Sequence, residues 1–269
     1  RDGTINRYCG RYRSSHQSVY NAYYLSRFAT AAVSHPVLLT SAPLQNHGLV
    51  DLSAMPERTI HYAGSKGREY RSIHGVAGRM AIPHEQQEAL AELNRRIGDL
   101  LAQDEYRVFG LIGSAVQYKF GQTTVSRQDI HGSIPRERSD AFLETVTTVV
   151  RDLDPNGTVF QIEDTGLDIE VMLTVEGTKD FDKGDGIRFL DDELAIGLSA
   201  GSTLICGDTS SDVPMVEAAV ELAGYENVTT LFVTEDDDLR DRVRATGVHC
   251  AFVTAPDILV AALGRIGVD

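Results

Sequence analysis

Two acidic residues follow an apolar run in the C-terminal third of the chain. Residues 204–206 (Leu-Ile-Cys) lead through Gly207 to Asp208, and Asp212 follows one helical turn later, where a helical pattern begins. In proteins with parallel sheets, ligands bind at the carboxyl ends of the strands. A small, hard cation such as Mg²⁺ takes carboxylate oxygens as ligands. The pattern therefore predicts a magnesium site at Asp208, and the plainer alternative is a loop acid followed by a helix cap at Asp212.

Three other short segments carry polar side chains of types that handle protons and anions. Residues 1–4 read Arg-Asp-Gly-Thr, a polar turn that presents Asp2. Residues 37–40 are an apolar strand pattern that ends in the hydroxyl of Thr40, and Lys183 stands with a glycine where a helical pattern starts. A carboxylate exchanges protons, whereas hydroxyl and ammonium groups bind anions. Taken singly, an ordinary turn, a strand end and a surface lysine are the plainer explanations.

The composition limits the classes of partner. The 269 residues carry 25 Lys and Arg against 39 Asp and Glu, which gives a net charge of −14, and the pI is near 5.0. This acidity argues against nucleic acid or an anionic membrane as a partner, so an anionic substrate needs a local pocket. The three cysteines lack metal-ligand spacing and predict a reduced, cytoplasmic setting, and no apolar run reaches membrane-spanning length.

The elements that must position these residues are clearest near the C-terminus, where apolar runs alternate with helical patterns. Strands are predicted at 202–206, 228–233 and 250–253, and helices at 213–223, 237–245 and 256–263. Two more strands are predicted at 37–40 and 59–63, after a helix at about 15–33. Strands that alternate with helices across short loops are typical of a doubly wound parallel sheet.

The middle of the chain has a different pattern. Helices are predicted at 84–102 and 138–153, and strand-like segments at 107–112, 116–120, 123–126, 159–163 and 168–174. Two helices against a small, mostly antiparallel sheet form a compact α+β unit. The sequence therefore predicts an α/β protein with a doubly wound parallel core at 1–77 and 178–269, and an inserted α+β cap domain at 78–177.

The start of the chain lacks one expected element. A parallel sheet of this type needs its central strand immediately before the turn at residues 1–4, and the sequence opens on that turn. We therefore expect the natural chain to continue upstream with an apolar strand of about five residues.

Together the four segments resemble the motifs of the haloacid dehalogenase (HAD) superfamily, in the same order. Residues 1–4 resemble the end of its signature Asp-x-Asp-Gly-Thr. The resemblance implies phosphoryl transfer through an aspartate directly before Arg1, which lies outside the printed sequence. It also implies that Asp2 protonates the leaving oxygen, later activates water, and lends its carbonyl oxygen to Mg²⁺.

The resemblance assigns roles to the other three segments. Thr40 would form a hydrogen bond with the transferring phosphoryl group, and Lys183 would neutralise the crowded negative charge. Asp208 would bind Mg²⁺ directly, and Asp212 would hold the metal's waters or a neighbouring N–H group.

The insert resembles the larger, α/β type of cap found in trehalose-6-phosphate phosphatases and related sugar-phosphate phosphatases. Residues 64–70 are similar to their Gly-x-His-Gly-x-Glu segment, with Lys66 in the place of the histidine. Residues 117–119 are similar to their Glu-Asp-Lys segment, and residues 168–171 to their Glu-x-x-Pro segment. The resemblance implies that Lys119 and Glu170 hold sugar hydroxyls and that Lys66 contacts substrate.

Two departures from that family stand out. The second motif continues Thr-Ser-Ala-Pro from Thr40, without the family's arginine, and residues 6–15 interleave arginines with tyrosines where the family has a short apolar run. Those arginines either contact substrate or belong to a solvated loop.

The sequence thus predicts a Mg²⁺-dependent phosphatase acting on a trehalose 6-phosphate-like sugar phosphate, fused to or associated with a glycosyl-phosphate synthase. Three alternatives stay open. They are a phosphatase of another osmolyte glycosyl phosphate, such as a glucosylglycerol-type phosphate, a sugar phosphomutase, and a non-catalytic domain of a synthase–phosphatase fusion. The residue before Arg1 would discriminate best between the catalytic and the non-catalytic alternatives.

Overall fold

The computed structural model describes residues 1–174 and 181–266, which fall into two units. The first unit contains Arg1–Tyr8, Ser15–Met80 and Asp182–Asp269, and the second contains Cys9–Ser14 and Ala81–Phe181. The sequence placed the first boundary after residue 77, and the structure divides after Met80. The second predicted boundary, at 177/178, lies outside the described residues.

The segment Cys9–Ser14 belongs to the second unit, although its position in the sequence suggested the first. The main-chain N–H of Tyr12 donates to the carbonyl of Gly113 over 3.3 Å. Gly10 lies against Ile130, since a Cβ at Gly10 would be 3.4 Å from the Ile130 Cδ1. These contacts are long-range, and no local pattern in the sequence announces them.

Strands and helices alternate over most of the chain. The strands are β1 (Val37–Leu39), β2 (His61–Gly64), β3 (Glu69–Arg71), β4 (Ala77–Arg79), β5 (Val116–Lys119), β6 (Gln122–Ser126), β7 (Phe160–Asp164), β8 (Asp168–Leu173), β9 (Thr203–Gly207), β10 (Val228–Val233) and β11 (His249–Val253). The helices are α1 (Val19–Ala31), α2 (His84–Leu101), α3 (Arg136–Leu153), α4 (Lys183–Leu194), α5 (Val213–Ala223), α6 (Asp237–Ala245) and α7 (Pro256–Ile266). None of the helices within residues 1–174 and 181–266 is long and apolar enough to cross a membrane.

The first unit contains two sheets. β1 and β2 pair in parallel, and β3 and β4 extend that sheet in antiparallel pairing. β9, β10 and β11 form a parallel sheet in the order β11-β10-β9. The α/β class with parallel sheets is confirmed, and the antiparallel extension by β3 and β4 is an addition to it.

Apolar clusters hold the helices of the first unit against these sheets. Leu25 of α1 and Leu259 of α7 share one cluster, and Val216 of α5 and Phe232 of β10 share another. A cavity of about 590 Å³ lies between the two sheets, and β1 and residues 203–206 of β9 line it. The carboxyl ends of β1 and β9 carry the residues of the site described below.

The second unit is an antiparallel sheet in the order β5-β6-β8-β7, with α2 and α3 packed on one face. The predicted strand at 107–112 is wrong, because Arg107–Gly110 is a short 3-10 helix. Phe109 within it is fully buried and stacks on Phe142 of α3, with ring centroids 3.8 Å apart. The apolar residues that suggested a strand therefore pack against a helix instead.

Candidate active site

A tight turn at the end of β9 holds the two acidic residues. The Asp212 Oδ2 accepts hydrogen bonds from the main-chain N–H groups of Asp208 and Thr209, at 2.9 and 3.0 Å. Gly207 allows this turn, since a Cβ there would lie 2.6 Å from the Cβ of Asp212. Asp212 is thus buried and accepts hydrogen bonds from neighbouring main-chain N–H groups, which is one of the two roles that the sequence suggested for it. Asp208 follows directly after the end of β9.

The turn at the start of the chain lies directly on Asp208. The Thr4 hydroxyl donates to the Asp208 Oδ1 over 2.6 Å. Gly3 has a φ of +85°, and a Cβ there would fall 1.9 Å from the Asp208 Oδ2, so only glycine permits this approach. The carbonyl of Arg1 accepts the N–H groups of Ile5 and Asn6 and fixes the turn. Residues about 200 positions apart in sequence thus form one acidic site.

The lysine is placed by the start of α4. Asp182 caps this helix in a capping box with Asp185, which puts Lys183 at its first position. The Lys183 Nζ donates to the Asp212 Oδ1, and it lies 3.4 Å from the Ser211 hydroxyl. Gly184 lets α4 approach α5, because a Cβ there would be 2.5 Å from the Pro214 carbonyl oxygen. In the Lys-Gly pattern, Lys183 therefore supplies the positive charge, and Gly184 allows α4 to pack closely enough on α5 for Lys183 to reach Asp212.

Burial and charge act differently on the two carboxylates. Burial raises the pKa of Asp208 above its usual value and the charge of Asp212 adds to this, although the hydroxyls of Thr4 and Tyr8 oppose it. Burial also acts against ionised Asp212, but Lys183 and the Asp208 N–H outweigh it, so the pKa of Asp212 lies below its usual value. Asp212 is thus satisfied within the protein, whereas Asp208 is the carboxylate that gains most from a cation.

Thr40 and Lys66 come together at the end of β1. The main-chain N–H of Lys66 donates to the Thr40 carbonyl over 2.9 Å. Ser65 and Lys66 both have positive φ values, 52° and 62°, in a loop whose main chain lies against Gly186 of α4. Backbone strain of this kind persists only where the surroundings impose it, and it concentrates at functional sites. Within residues 1–174 and 181–266, no hydrogen bond joins Thr40 to Asp208 or Lys183.

Lys119 and Glu170 lie in the second unit, on β5 and β8. Their Nζ and Oε1 atoms are 3.8 Å apart, across the intervening strand β6. The Thr123 hydroxyl bonds to Asn94 of α2, so the alternate residues Gln122 and Thr124 face away from the helices, as Lys119 and Glu170 do. This face is polar but buried: Lys119 is 6% exposed and Thr124 is 2% exposed.

Two side chains that sequence reasoning did not select contact the acidic residues. The Tyr8 hydroxyl donates to the Asp208 Oδ2 over 2.6 Å. Although the Tyr8 ring is exposed, loss of water around the hydroxyl and the charge of Asp208 raise the pKa of Tyr8 above its usual value. The Ser15 hydroxyl donates to the Asp2 Oδ1 over 2.7 Å. The interleaved tyrosines of residues 6–15 were a visible signal for Tyr8, and nothing local marks Ser15.

The arginines of the same segment point to a solvated loop. Arg7, Arg11 and Arg13 are exposed, and Arg7 pairs at the surface with Asp257, over 2.9 Å. Within this segment, the hydroxyl groups of Tyr8 and Ser15 contact the acidic residues of the site.

The donor set fits Mg²⁺. Among residues 1–174 and 181–266, no group of three or more His, Cys, Asp or Glu side chains is arranged to hold a metal by itself. Mg²⁺ keeps several waters and typically uses one or two carboxylates, together with substrate phosphate, rather than a full protein cage. Asp208 and the main-chain oxygens of the adjoining turn supply oxygen ligands only, and the half-buried carboxylate of Asp208 would bind the ion directly.

The structure brings two carboxylates and a lysine together at the end of a parallel sheet in an α/β fold. A sequence model of the family described as "Trehalose-6-phosphate phosphatase, C-terminal" matches residues 1–259. The chain therefore belongs to the trehalose-6-phosphate phosphatase family.

Curated relatives agree with this assignment. A trehalose-phosphatase of Brugia malayi is 35% identical over 272 residues, covering 98% of this chain and 55% of the relative. A Caenorhabditis elegans protein named alpha,alpha-trehalose-phosphate synthase [UDP-forming] 2 is 33% identical over 273 residues, covering 98% of this chain and 22% of the relative. The chain thus spans between about a fifth and about three fifths of the curated relatives it matches.

The fold is shared with solved structures of low sequence identity. A trehalose-6-phosphate phosphatase related protein superposes with a TM-score of 0.68 at 14% identity, covering 99% of this chain and 94% of that chain. The C-terminal domain of the Candida albicans trehalose-6-phosphate phosphatase superposes with a TM-score of 0.62 at 12% identity, covering 99% and 89%.

Proposed function

We propose that this chain is the phosphatase part of an enzyme that hydrolyses trehalose 6-phosphate or a closely similar sugar phosphate. The observation that carries the proposal is the joined network of Thr4, Asp208, Asp212 and Lys183, with Asp2 in the same turn as Thr4. Relatives named trehalose-phosphatase support the substrate class.

The reaction passes through a phosphorylated aspartate directly before Arg1. The turn at residues 1–4 lies directly against Asp208, so a residue bonded to the main-chain nitrogen of Arg1 joins the chain at this turn. An oxygen of that aspartate bonds to phosphorus as the bond from phosphorus to the sugar oxygen breaks. Asp2 gives its proton to the departing sugar oxygen.

The second step restores the protein. Asp2 accepts a proton from a water molecule whose oxygen attacks phosphorus, and the bond between phosphorus and the aspartate breaks. Lys183 offsets the negative charge that crowds around the phosphoryl group, and Thr40 donates a hydrogen bond to it. Asp212 holds Lys183 and the turn that carries Asp208.

Asp208 and the carbonyl oxygen of Asp2 would hold Mg²⁺. When bound, it stabilises negative charge on the phosphoryl oxygens by several kcal/mol.

Lys119, Glu170 and Lys66 recognise the rest of the substrate. A buried polar face with a lysine and a glutamate suits a ligand that carries many hydroxyls, because each hydroxyl can donate and accept. A reducing, cytoplasmic setting agrees with three cysteines that form no disulfide. Relatives named as synthases support a place for this chain within a synthase fusion.

The test compares Asp2→Asn with Asp237→Asn, an exposed aspartate of α6, in the natural full-length protein. We expect phosphate release from trehalose 6-phosphate to require Mg²⁺ and to fall at least about a hundredfold in Asp2→Asn, since general acid–base catalysis contributes about 10²–10⁴-fold. Asp237→Asn should behave as wild type.

Two results would contradict the proposal. An Asp2→Asn protein that retains more than about a tenth of the wild-type rate would remove Asp2 from the acid–base role. A wild-type protein that binds the sugar phosphate without releasing phosphate would support the non-catalytic alternative.

A further inference from the structure

The segment from Asn6 to Ser15 returns to the acidic site at its end. Ser15 is 3% exposed, and its hydroxyl donates to the Asp2 Oδ1 over 2.7 Å. The side-chain amide of Asn6 donates to the same hydroxyl oxygen, over 3.4 Å. Because the oxygen of Ser15 already accepts from Asn6, its single proton is directed toward Asp2.

The other oxygen of Asp2 is held from the opposite side. The Arg1 Nη1 lies 3.2 Å from the Asp2 Oδ2. Arg1 itself is fixed, because its Nη2 donates to the carbonyls of Ser15 and Leu52 and its side chain is 1% exposed. Each carboxylate oxygen thus receives one donor, which sets the plane of the carboxylate.

The contacts from Ser15 and Arg1 leave Asp2 able to exchange a proton. The Asp2 side chain remains 21% exposed, and each of its oxygens has a second lone pair that neither donor uses. A group that passes a proton to a sugar oxygen and then takes one from water must point correctly in both steps. A misplacement of about 1 Å in such an arrangement costs about a hundredfold in rate.

We propose that Ser15 is a positioning residue for Asp2, whose hydroxyl holds the carboxylate in the orientation that proton transfer requires. The proposal rests on the proposed acid–base role of Asp2. The two contacts favour positioning over simple space filling, because Ser15 donates to the Asp2 Oδ1 while Arg1 donates to the Asp2 Oδ2.

The experiment removes the hydroxyl and then restores it. In the full-length protein, Ser15→Ala should lower kcat about 10- to 100-fold on both trehalose 6-phosphate and a small aryl phosphate, with KM changed less than about twofold. Ser15→Thr, which keeps the hydroxyl, should recover most of the loss. Ser139→Ala is the matched control, because Ser139 is also 3% exposed and accepts from a buried arginine, Arg127, in the second unit.

A double variant separates positioning from structure. If Ser15 acts through Asp2, Ser15→Ala should cause no further loss in the Asp2→Asn background. An unchanged kcat in Ser15→Ala, an equal loss in Ser15→Thr, or a full additional loss in the double variant would overturn the proposal. If Asp2→Asn alone keeps its activity, the proposed function fails instead, so the two failures are distinguishable.

Discussion

The two units of the molecule hold their polar residues in different ways. In the first unit, Asp2, Asp208 and Asp212 each accept hydrogen bonds from neighbouring residues at the ends of the strands. In the second unit, Lys119 and Glu170 form an ion pair with 3.8 Å between the Nζ and Oε1 atoms, on the polar face of the sheet. A fixed, preorganised network suits bond making and breaking. A polar sheet face that carries both a lysine and a glutamate suits a ligand that brings its own hydroxyl groups.

Under the proposed function, the acidic site of the first unit carries out the chemistry, while Lys119 and Glu170 of the second unit contact the rest of the substrate. A substitution at Asp208 should therefore lower the steady turnover of every phosphate ester. A substitution on the sheet face of the second unit should affect only substrates that reach it, because remote binding energy is available only to a substrate that makes the contact.

The largest effect is expected at Asp208. Asp208→Asn should lower kcat/KM about a thousandfold or more on both a disaccharide phosphate and an aryl phosphate, because it weakens the hold on a cation that contributes several kcal/mol. The measurement includes the Tm with and without Mg²⁺, since a ligand that binds the folded state stabilises it. Wild type should gain stability from Mg²⁺, and the variant should not. An Asp208→Asn protein that still gains stability from Mg²⁺ and keeps its activity would contradict the assignment.

A substrate-dependent effect is expected at Lys119. Lys119→Ala should raise KM for trehalose 6-phosphate about tenfold or more, since a hydrogen bond to a charged group contributes about 1.5–3 kcal/mol. The same variant should hydrolyse a small aryl phosphate nearly as well as wild type, and Glu170→Ala should show the same split. Steady-state kinetics on both substrates provide the check. Equal losses on the two substrates would place Lys119 and Glu170 in the scaffold.

A smaller effect is expected at Thr124, and Thr123 offers a matched control on the same strand. Both threonines are buried, but Thr124 lies on the polar face, whereas Thr123 bonds to Asn94 of α2. Thr124→Val should raise KM for the disaccharide phosphate up to about tenfold, because it removes one neutral hydrogen bond worth about 0.5–1.5 kcal/mol. Thr123→Val should leave KM unchanged and lower the Tm, because it strands the buried acceptor of Asn94. A raised KM in Thr123→Val together with an unchanged KM in Thr124→Val would contradict the placement of Thr124 on the polar face.

The smallest effect is expected at the opposite end of β2, away from the site. Burial lowers the pKa of His61, and His35 and His74 lower it further. His61 therefore binds a proton more readily in the unfolded chain than in the folded protein. Its contribution to the free energy of unfolding is fully present above about pH 6.5 and is lost as the pH falls toward the folded-state pKa. Thermal unfolding of wild type and His61→Gln at about pH 7.5 and about pH 5.5 should show a smaller pH dependence in the variant. An exposed control, His249→Gln, should match wild type, and an unchanged pH dependence in His61→Gln would refute the assignment.

Much of the fold could be predicted where local pattern and tertiary structure agree. The apolar runs that became β9, β10 and β11 lie between helical patterns of ordinary length, so period and length both indicated them. β3 and β4 have only three residues each and were not predicted. Gly78 of β4 lies against the ring of Tyr70 in β3, a tertiary contact that no local pattern encodes.

The residues of the site could likewise be predicted only where a local sequence pattern marks them. Asp208, Asp212 and Lys183 follow elements with clear patterns, and the structure brings them together. Ser15 was missed because its partner Asp2 is 13 residues away in sequence and a serine before a helix suggests only a cap. The strand expected upstream of Arg1 stays a prediction.

The most direct test of the account is a rapid-mixing measurement on Asp2→Asn. An aryl phosphate with an acidic phenol needs no proton donor to leave, whereas a sugar oxygen does. We therefore predict that Asp2→Asn releases about one equivalent of phenolate in a fast burst and then stalls as a phosphorylated protein, with no burst on trehalose 6-phosphate. Steady turnover of the aryl phosphate without a burst, or equal bursts on both substrates, would contradict the role of Asp2 and the covalent route together.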